Sequence, residues 1–135
     1  MDVSCIFIDI NGLKEMNDRH GHAASDRLIV ATANLLKMLT QNTSFSVSRI
    51  GGDEFVILMP EASHTILQYY VSHLHSLLKY QHHSPNHPLI SLSMGYTTRR
   101  QDESIQSMLH RADQVMYENK KAYYLVNDRR QIRSA

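Results

Sequence analysis

The sequence predicts an α+β fold, an α/β sandwich in which a mixed, mainly antiparallel β-sheet has helices packed on it. Two patterns predict this fold. Short apolar runs with strand character alternate with longer apolar stripes at helical spacing, in the order βααββαβαβ. A glycine pair at residues 51 and 52 lies between two short runs, which is typical of a hairpin joining antiparallel strands. The length of 135 residues suits one domain with a substantial core.

The first strand and the two helices after it are predicted from residues 3–39. The apolar run 3–8 is typical of a buried strand, and Asp9 follows at its carboxyl end, where α/β folds place ligand-binding groups. Asn11 is predicted to cap a short helix that carries Lys14 and Asn17. A long helix is then predicted from an apolar stripe, which consists of Leu28, Ala31, Thr32, Leu35, Leu36 and Leu39.

Residues 48–55, Ser-Arg-Ile-Gly-Gly-Asp-Glu-Phe, predict a tight hairpin. Gly51 and Gly52 are expected to supply the positive φ angles of a two-residue loop, and Asp53 and Glu54 to open the returning strand. Glycines beside paired carboxylates give a phosphate chain and a divalent metal room to approach the backbone. With Asp9 at the end of another strand, these acids suit a metal–triphosphate site. The alternative is an ordinary hairpin whose acids are solvated.

The second half of the chain adds two helices and two strands. The first helix is predicted from a stripe of Ile66, Leu67, Tyr70, Val71, Leu74, Leu77 and Leu78. A polar connector at residues 81–88 leads to residues 89–97, where apolar residues alternate with small ones as in a half-buried strand. The last helix is predicted from Ile105, Met108, Leu109, Ala112, Val115 and Met116, and residues 122–126 are predicted to form an edge strand.

Composition and charge exclude several classes of protein. The net charge is +1, from 14 basic and 13 acidic residues, so no general electrostatic attraction to nucleic acid or to a membrane surface is expected. The one cysteine, Cys5, lies in an apolar strand, which excludes a disulfide framework and fits a reducing cytoplasm. No signal-peptide pattern or membrane-spanning run is present. We therefore expect a cytoplasmic domain, whose longer parent protein could carry a membrane anchor.

Four motifs, in one order along the chain, resemble those of a known family. They lie after the first strand, at the start of the next helix, in the hairpin and in the last helix. The matching residues are Asp9, Ile10, Lys14 and Asn17; Gly21, His22 and Asp26; Arg49 with Gly51 to Phe55; and residues 112–117 with Lys120. On these residues the chain closely resembles the GGDEF family, the diguanylate cyclases that condense two GTP molecules into cyclic di-GMP.

The resemblance implies a fold like the palm of polymerases and nucleotide cyclases, and a role for each matching residue. Mg²⁺ (or Mn²⁺) would be held by Asp9, Asp53 and the backbone carbonyl of Ile10, with Asp53 and Glu54 as the catalytic acids. Asn17 and Asp26 would recognise guanine. The remaining substrate-binding residues would be Lys14, Arg49, Gly51, Gly52 and Lys120, of which Arg49 could instead contact a second protomer.

Five positions depart from the family pattern. They are Asn11 for the usual second acid, Leu13 for a phenylalanine, Ser25 for a glycine, and Tyr123 and Tyr124 for glycine followed by arginine or lysine. The last change removes a cation expected on the triphosphate, for which Lys121 is a partial substitute. Asn42 and Phe45 stand where the family has an inhibitory product site, so we expect that site to be absent.

The family's helix before the first strand is also not found ahead of Met1. We therefore expect residues 1–126 to be a GGDEF domain without its N-terminal helix, and residues 127–135 to be a basic C-terminal tail or the start of a linker. Without that helix the chain is expected to be a monomer that self-associates weakly at most.

The leading functional hypothesis is a diguanylate cyclase that forms a transient homodimer, in which each protomer presents one GTP. Sensor or effector domains would be linked to it in a longer parent. The alternative is a catalytically silent module that binds GTP and regulates a neighbouring domain. A palm domain from another polymerase-like family is the third hypothesis, which the motif at Gly21, His22 and Asp26 disfavours.

Overall fold

A computed structural model describes residues 1–82 and 88–134, and of residues 128–134 it describes only the backbone. Most of the predicted polar connector, residues 83–87, therefore lies outside the described chain. The elements in chain order are β1 (Val3–Ile10), α1 (Leu13–His20), α2 (His22–Leu39), β2 (Ser46–Arg49), β3 (Glu54–Pro60), α3 (His64–His82), β4 (Leu92–Thr98) and α4 (Ile105–Ser134).

The four described strands form one sheet in the order β2-β3-β1-β4, and every pairing in it is antiparallel. β1 is central, and all eight of its residues are buried. Its register places Asp9 opposite Glu54 of β3 on one side and opposite Ser93 of β4 on the other. The predicted α+β class, with helices packed on a mainly antiparallel sheet, is confirmed.

The alternation of side chains along β1 divides the core into two layers. Ile6, Ile8 and Ile10 face a layer built with α2 and α3, whose buried residues include Leu28, Leu35, Leu36, Leu67 and Leu74. Val3, Cys5 and Phe7 face the opposite layer, where they pack with Met108, Ala112 and Met116 of α4. Burial raises the pKa of the Cys5 thiol to about 11, so Cys5 acts as a small apolar residue of this layer.

A glycine in β4 lets α4 approach the sheet closely. A Cβ at Gly95 would overlap the carbonyl oxygen of Ala112 and the amide nitrogen of Met116. These two atoms belong to the backbone of α4, which cannot move aside as a flexible side chain can. Any larger residue at position 95 would therefore push α4 away from the sheet.

An ion pair fastens the start of α4 to the end of β4. The Arg111 guanidinium donates to both carboxylate oxygens of Glu103, at 2.6 and 2.7 Å, and also to the Thr97 hydroxyl and the Thr98 carbonyl. The Glu103 side chain is only 9% exposed. The hydrogen bond from Arg111, with further donors, holds the pKa of Glu103 well below its ordinary value.

Two predicted features differ in the structure. Residues 122–126 are not an edge strand, because α4 continues without a break through them to Ser134. The backbone of residues 127–134, predicted as a basic tail, belongs to the same helix, while the domain boundary at residue 126 stays a prediction. In the described residues no helix combines the length and apolar character needed to cross a membrane.

The close approach at Gly95 gives a stability prediction. Gly95→Ala should lower the free energy of unfolding by about 2 kcal/mol or more, because the new methyl group collides with helix backbone. Urea unfolding would measure it. Gly52→Ala is the matched control, since a Cβ at Gly52 meets no atom within 4 Å and should change stability by less than about 0.5 kcal/mol. An equal effect of both changes would contradict this account of α4 packing.

The Glu103 pair gives a pH prediction. A carboxylate whose pKa is lowered by folding stabilises the protein above its unfolded pKa, and this stabilisation is lost as the pH falls. Glu103→Gln should therefore be less stable than wild type at pH 7, and the difference should shrink below about pH 4. Urea unfolding at both pH values would test this, with exposed Glu61→Gln as the control. A difference that is independent of pH would contradict an ionic role for Glu103.

Candidate active site

Three carboxylates meet where β1 ends beside the β2–β3 loop. Asp9, Asp53 and Glu54 each place a carboxylate oxygen within 4.8 Å of the others. The backbone sets this arrangement, because Asp9 pairs with Glu54 in the ladder and the Ile10 N–H donates to the Asp53 carbonyl at 2.8 Å. The structure thus brings together the three acids that the sequence singled out.

Asp9 is the buried member of this carboxylate cluster, with no exposed surface. The Lys120 ammonium donates to its Oδ2 at 2.9 Å and lies 3.5 Å from Oδ2 of Asp53. The other oxygen, Oδ1 of Asp9, has no hydrogen-bond partner in the described chain. A buried oxygen left in this state costs about 1–3 kcal/mol, so the site favours a ligand that Oδ1 can coordinate.

The pKa values of this pair reflect burial and charge. Burial raises the pKa of Asp9 to about 6; the Lys120 hydrogen bond opposes the rise, and the Asp53 charge adds to it. Burial tends to lower the pKa of Lys120, but its hydrogen bond to Asp9 and the nearby acidic charges outweigh this and raise it. Lys120 is therefore a firmly charged ammonium, whereas Asp9 ionises less readily than an ordinary aspartate.

The residues present fit a divalent cation. Hard ions such as Mg²⁺ prefer oxygen ligands, and the carboxylate cluster offers three acids with one buried, unpartnered oxygen. Asp9, Glu54 and Lys120 also line a cavity of about 760 Å³ between the sheet and α4. Ile10 adjoins the cluster through its N–H bond to Asp53, and a metal-binding role for its carbonyl stays a prediction.

The glycine loop has a different geometry from the predicted one. Neither Gly51 nor Gly52 has a φ angle in the left-handed region. The loop between β2 and β3 runs from Ile50 to Asp53, so the prediction of a two-residue turn is wrong. Arg49 shapes this loop by donating to the carbonyls of Gly51 and Gly52 at 3.1 and 2.8 Å. Since the backbone angles do not require glycine and Gly52 has open space where a Cβ would lie, small residues there leave room for a ligand.

The turn between β1 and α1 also corrects a prediction. The N-cap of α1 is Gly12, in the left-handed conformation at φ 75°, rather than Asn11. Both polar atoms of the Asn11 side chain bond to serines beside it, with Ser91 accepting from Nδ2 and Ser93 donating to Oδ1. Asn11 therefore supports the strand ends instead of capping the helix.

The predicted base-recognition residues lie on α1 and α2. The Ser25 hydroxyl donates to Oδ1 of Asn17 at 3.4 Å, which joins the two helices. Asp26 is exposed and lines a cavity of about 880 Å³ together with Met16 and His20. Lys14 is exposed on the first turn of α1. A role in nucleotide binding stays a prediction for each of these residues.

Sequence reasoning missed a contact at Tyr124, which it treated only as a lost cation. The Gly12 N–H donates to the Tyr124 hydroxyl at 3.0 Å. The spacing of four residues after Lys120 was the available signal, since it places both side chains on one face of α4. Lys121, the suggested substitute cation, instead contacts Glu118 at 3.8 Å and lies over the Tyr117 ring.

Comparisons with known proteins agree with this geometry. Diguanylate cyclase A of Treponema denticola is 29% identical over 124 residues, which cover 87% of this chain and 32% of that protein. The solved GGDEF domain of TpbB (YfiN) from Pseudomonas aeruginosa is 30% identical, with a TM-score of 0.77 over 90% of this chain and 72% of the other. The GGDEF domain of Caulobacter crescentus DgcB, solved in complex with c-di-GMP, is 25% identical, with a TM-score of 0.76 over 90% of this chain and 73% of the other.

The chain spans about a third of the length of its Treponema relative, so the likeness concerns one domain of a longer protein. The family model described as "Diguanylate cyclase, GGDEF domain" matches residues 1–124. Because that match extends over nearly all of the 135 residues, this chain belongs to the GGDEF domain family.

Proposed function

We propose that this domain is a diguanylate cyclase, which condenses two GTP molecules into cyclic di-GMP and two molecules of pyrophosphate by attack of each 3′-hydroxyl on the α-phosphate held by the other protomer. The observation that carries the proposal is the buried Asp9, whose unpartnered oxygen lies among Asp53, Glu54 and Lys120 at the end of β1. Relatives named as diguanylate cyclases, and a related domain solved with c-di-GMP, support the choice of reaction.

The acids and cations of the site have complementary roles in this proposal. Mg²⁺ (or Mn²⁺), held by Asp9, Asp53 and the Ile10 carbonyl, would supply neutralisation of the triphosphate charge and help to activate the attacking 3′-hydroxyl. Glu54, across the strand pair from Asp9, is a carboxylate that can accept a proton from that hydroxyl. Lys120 and Lys14 bind phosphate oxygens.

The β2–β3 loop gives the phosphate chain space in the proposed site. Gly51 and Gly52 let the phosphate chain approach the backbone, since neither glycine carries a side chain that would fill the space. Arg49 keeps the loop in place through its bonds to the two glycine carbonyls. The proposed role of Arg49 is thus positional, because its guanidinium is already committed to the loop.

Guanine is the base that Asn17 and Asp26 suit. Ser25 donates to the Asn17 carbonyl oxygen, which leaves the Asn17 amide group to donate to O6 or N3 of guanine. The exposed Asp26 carboxylate can accept from the N1–H and the 2-amino group, neither of which adenine offers. Discrimination against ATP by about a hundredfold is expected from this pairing.

A silent GTP-binding module is the second candidate, favoured by the neutral Tyr124 where the family usually has a cation. Asn11, which stands in place of the family's usual second acid, also favours this candidate, but the structure weakens that argument. Both polar atoms of Asn11 are used by Ser91 and Ser93, so the Asn11 side chain is a structural element of the strand ends. The carboxylate cluster, with its buried and unpartnered Asp9 oxygen, therefore favours the cyclase.

Incubation of the purified chain with GTP and Mg²⁺, followed by chromatographic detection of cyclic di-GMP, tests the proposal. Asp53→Asn should reduce product formation by more than tenfold, since it removes a carboxylate that has no packing role in the core. Asp102→Asn, the same change in the distant β4–α4 loop, should leave activity unchanged. With ATP in place of GTP, formation of the corresponding cyclic dinucleotide should be slower by about a hundredfold or more.

Turnover of the Asp53→Asn variant above a tenth of wild type would contradict the assignment of Asp53. A wild-type chain that binds GTP and forms no product under any metal condition would contradict the cyclase and support the silent module.

The reaction also predicts a dependence on protein concentration. Each chain carries one carboxylate cluster in its described part, and the condensation needs two bound GTP molecules face to face. Specific activity should therefore rise with protein concentration, and fusion to a dimeric coiled coil should raise it further by increasing effective concentration. Initial rates over a hundredfold concentration range would measure this. Specific activity that does not change with concentration, in a chain shown by light scattering to be monomeric, would contradict attack between protomers.

A further inference from the structure

Tyr124 lies at the amino end of α1, one helical turn along α4 from Lys120 of the candidate site. Its hydroxyl accepts the N–H of Gly12, which is the N-cap of α1 and lies two residues after β1. Lys120, one helical turn earlier on α4, contacts Asp9 and Asp53. The Tyr124 hydroxyl therefore lies at the amino end of α1, where backbone N–H groups attract anions, on the face of α4 that also carries Lys120.

The hydroxyl has an unused hydrogen-bonding capacity. A phenol can accept a hydrogen bond and also donate its own proton. In Tyr124 the acceptor function is taken by Gly12, and in the described part of the chain no acceptor for the Tyr124 proton is found. Lys120, with which Tyr124 interacts electrostatically, can only donate. A donor placed among other donors is suited to an anionic oxygen.

The surroundings point to a ligand independently of Tyr124. Oδ1 of Asp9 is fully buried and has no partner in the described residues. A cavity of about 760 Å³, whose lining includes Asp9 and Lys120 but neither Tyr124 nor Gly12, opens beside it. Gly12 has open space where a Cβ would lie, so the backbone there can be approached closely.

We infer that Tyr124 is a substrate-binding residue, whose hydroxyl is held by the Gly12 N–H and donates its proton to an oxygen of the β- or γ-phosphate of GTP. This inference rests on the proposed function for the identity of the nucleotide. Tyr124 is a neutral donor where the family usually has a cation, so this domain holds the terminal phosphates with one positive charge fewer. Lys121 does not replace that charge, because it contacts Glu118 on another face of α4.

Equilibrium binding separates this inference from the catalytic proposal. The probes are 3′-deoxy-GTP, which lacks the attacking hydroxyl and cannot be condensed, and GMP, which lacks the terminal phosphates. Calorimetric titration in Mg²⁺ would compare wild type with Tyr124→Phe. The variant should bind 3′-deoxy-GTP about tenfold more weakly or worse, because a hydrogen bond to a charged group is lost, and should bind GMP as wild type does.

Two further variants sharpen the test. Tyr123→Phe removes the hydroxyl of the neighbouring ring, which lies edge-on to Tyr124 at 5.2 Å, and should leave both affinities unchanged. Tyr124→Arg restores a cation, so it should bind 3′-deoxy-GTP at least as tightly as wild type and lose affinity more steeply as salt is added. Thermal melting of each variant would exclude loss of folding as the cause.

Three outcomes would overturn the inference. Unchanged binding of 3′-deoxy-GTP by Tyr124→Phe would remove Tyr124 from the site and leave the proposed function intact. Tighter binding would mean that the hydroxyl competes with phosphate for the Gly12 N–H. Failure of the wild-type chain to bind any guanine nucleotide would refute the proposed function together with this inference.

Discussion

The packing of α4 along one face of β1 is the interaction on which the rest of the structure depends. Four residues of helix advance by about 6 Å, and two residues of strand by about 6.6 Å, so side chains at these two spacings stay in step. Met108, Ala112 and Met116, at four-residue spacing on α4, share one core layer with Val3, Cys5 and Phe7, at two-residue spacing on β1. On α4 the four-residue spacing continues to Lys120, which meets Asp9, and to Tyr124, which meets Gly12 beyond the end of β1. The polar site is thus a direct extension of the apolar core layer.

The extension from core to site explains the electrostatics of Asp9. A carboxylate in the next odd-numbered position of a fully buried strand loses its hydration, which is costly unless a cation accompanies it. Lys120 supplies that cation from the next turn of α4, while Asp53 and Glu54 add like charge from the other side. Three carboxylates and one ammonium are therefore held close together, with one positive charge for three acids. A bound cation would reduce the repulsion between the carboxylates.

Much of the fold could be predicted because its signals are local. The apolar run of β1, the stripes of α2 and α3 and the hairpin acids each depend on residues close in sequence. The edge strand at residues 122–126 was wrong because Tyr123, Tyr124 and Val126 have strand propensity, which the continuing packing of α4 overrides. The capping role of Asn11 was wrong because Ser91 and Ser93, 80 or more residues away, use its side chain. The acids of the site were predicted from their motif, but the unpartnered oxygen of Asp9 and the Gly12–Tyr124 contact arise only when distant segments meet.

The two sides of the carboxylate cluster belong to parts of the molecule with different local stability. Asp9 lies on the central strand, hydrogen-bonded on both edges and covered on both faces, so its backbone can exchange with solvent only when most of the domain opens. Asp53 lies on a loop whose glycines are exposed and are held through their carbonyls by the Arg49 side chain, while the Ile10 N–H fixes only the Asp53 end of the loop. The site therefore combines a rigid side, formed by Asp9 on β1, with a more mobile side, formed by the β2–β3 loop. An arriving ligand meets a preorganised Asp9, and the entropy of ordering is confined to the loop residues that close against it.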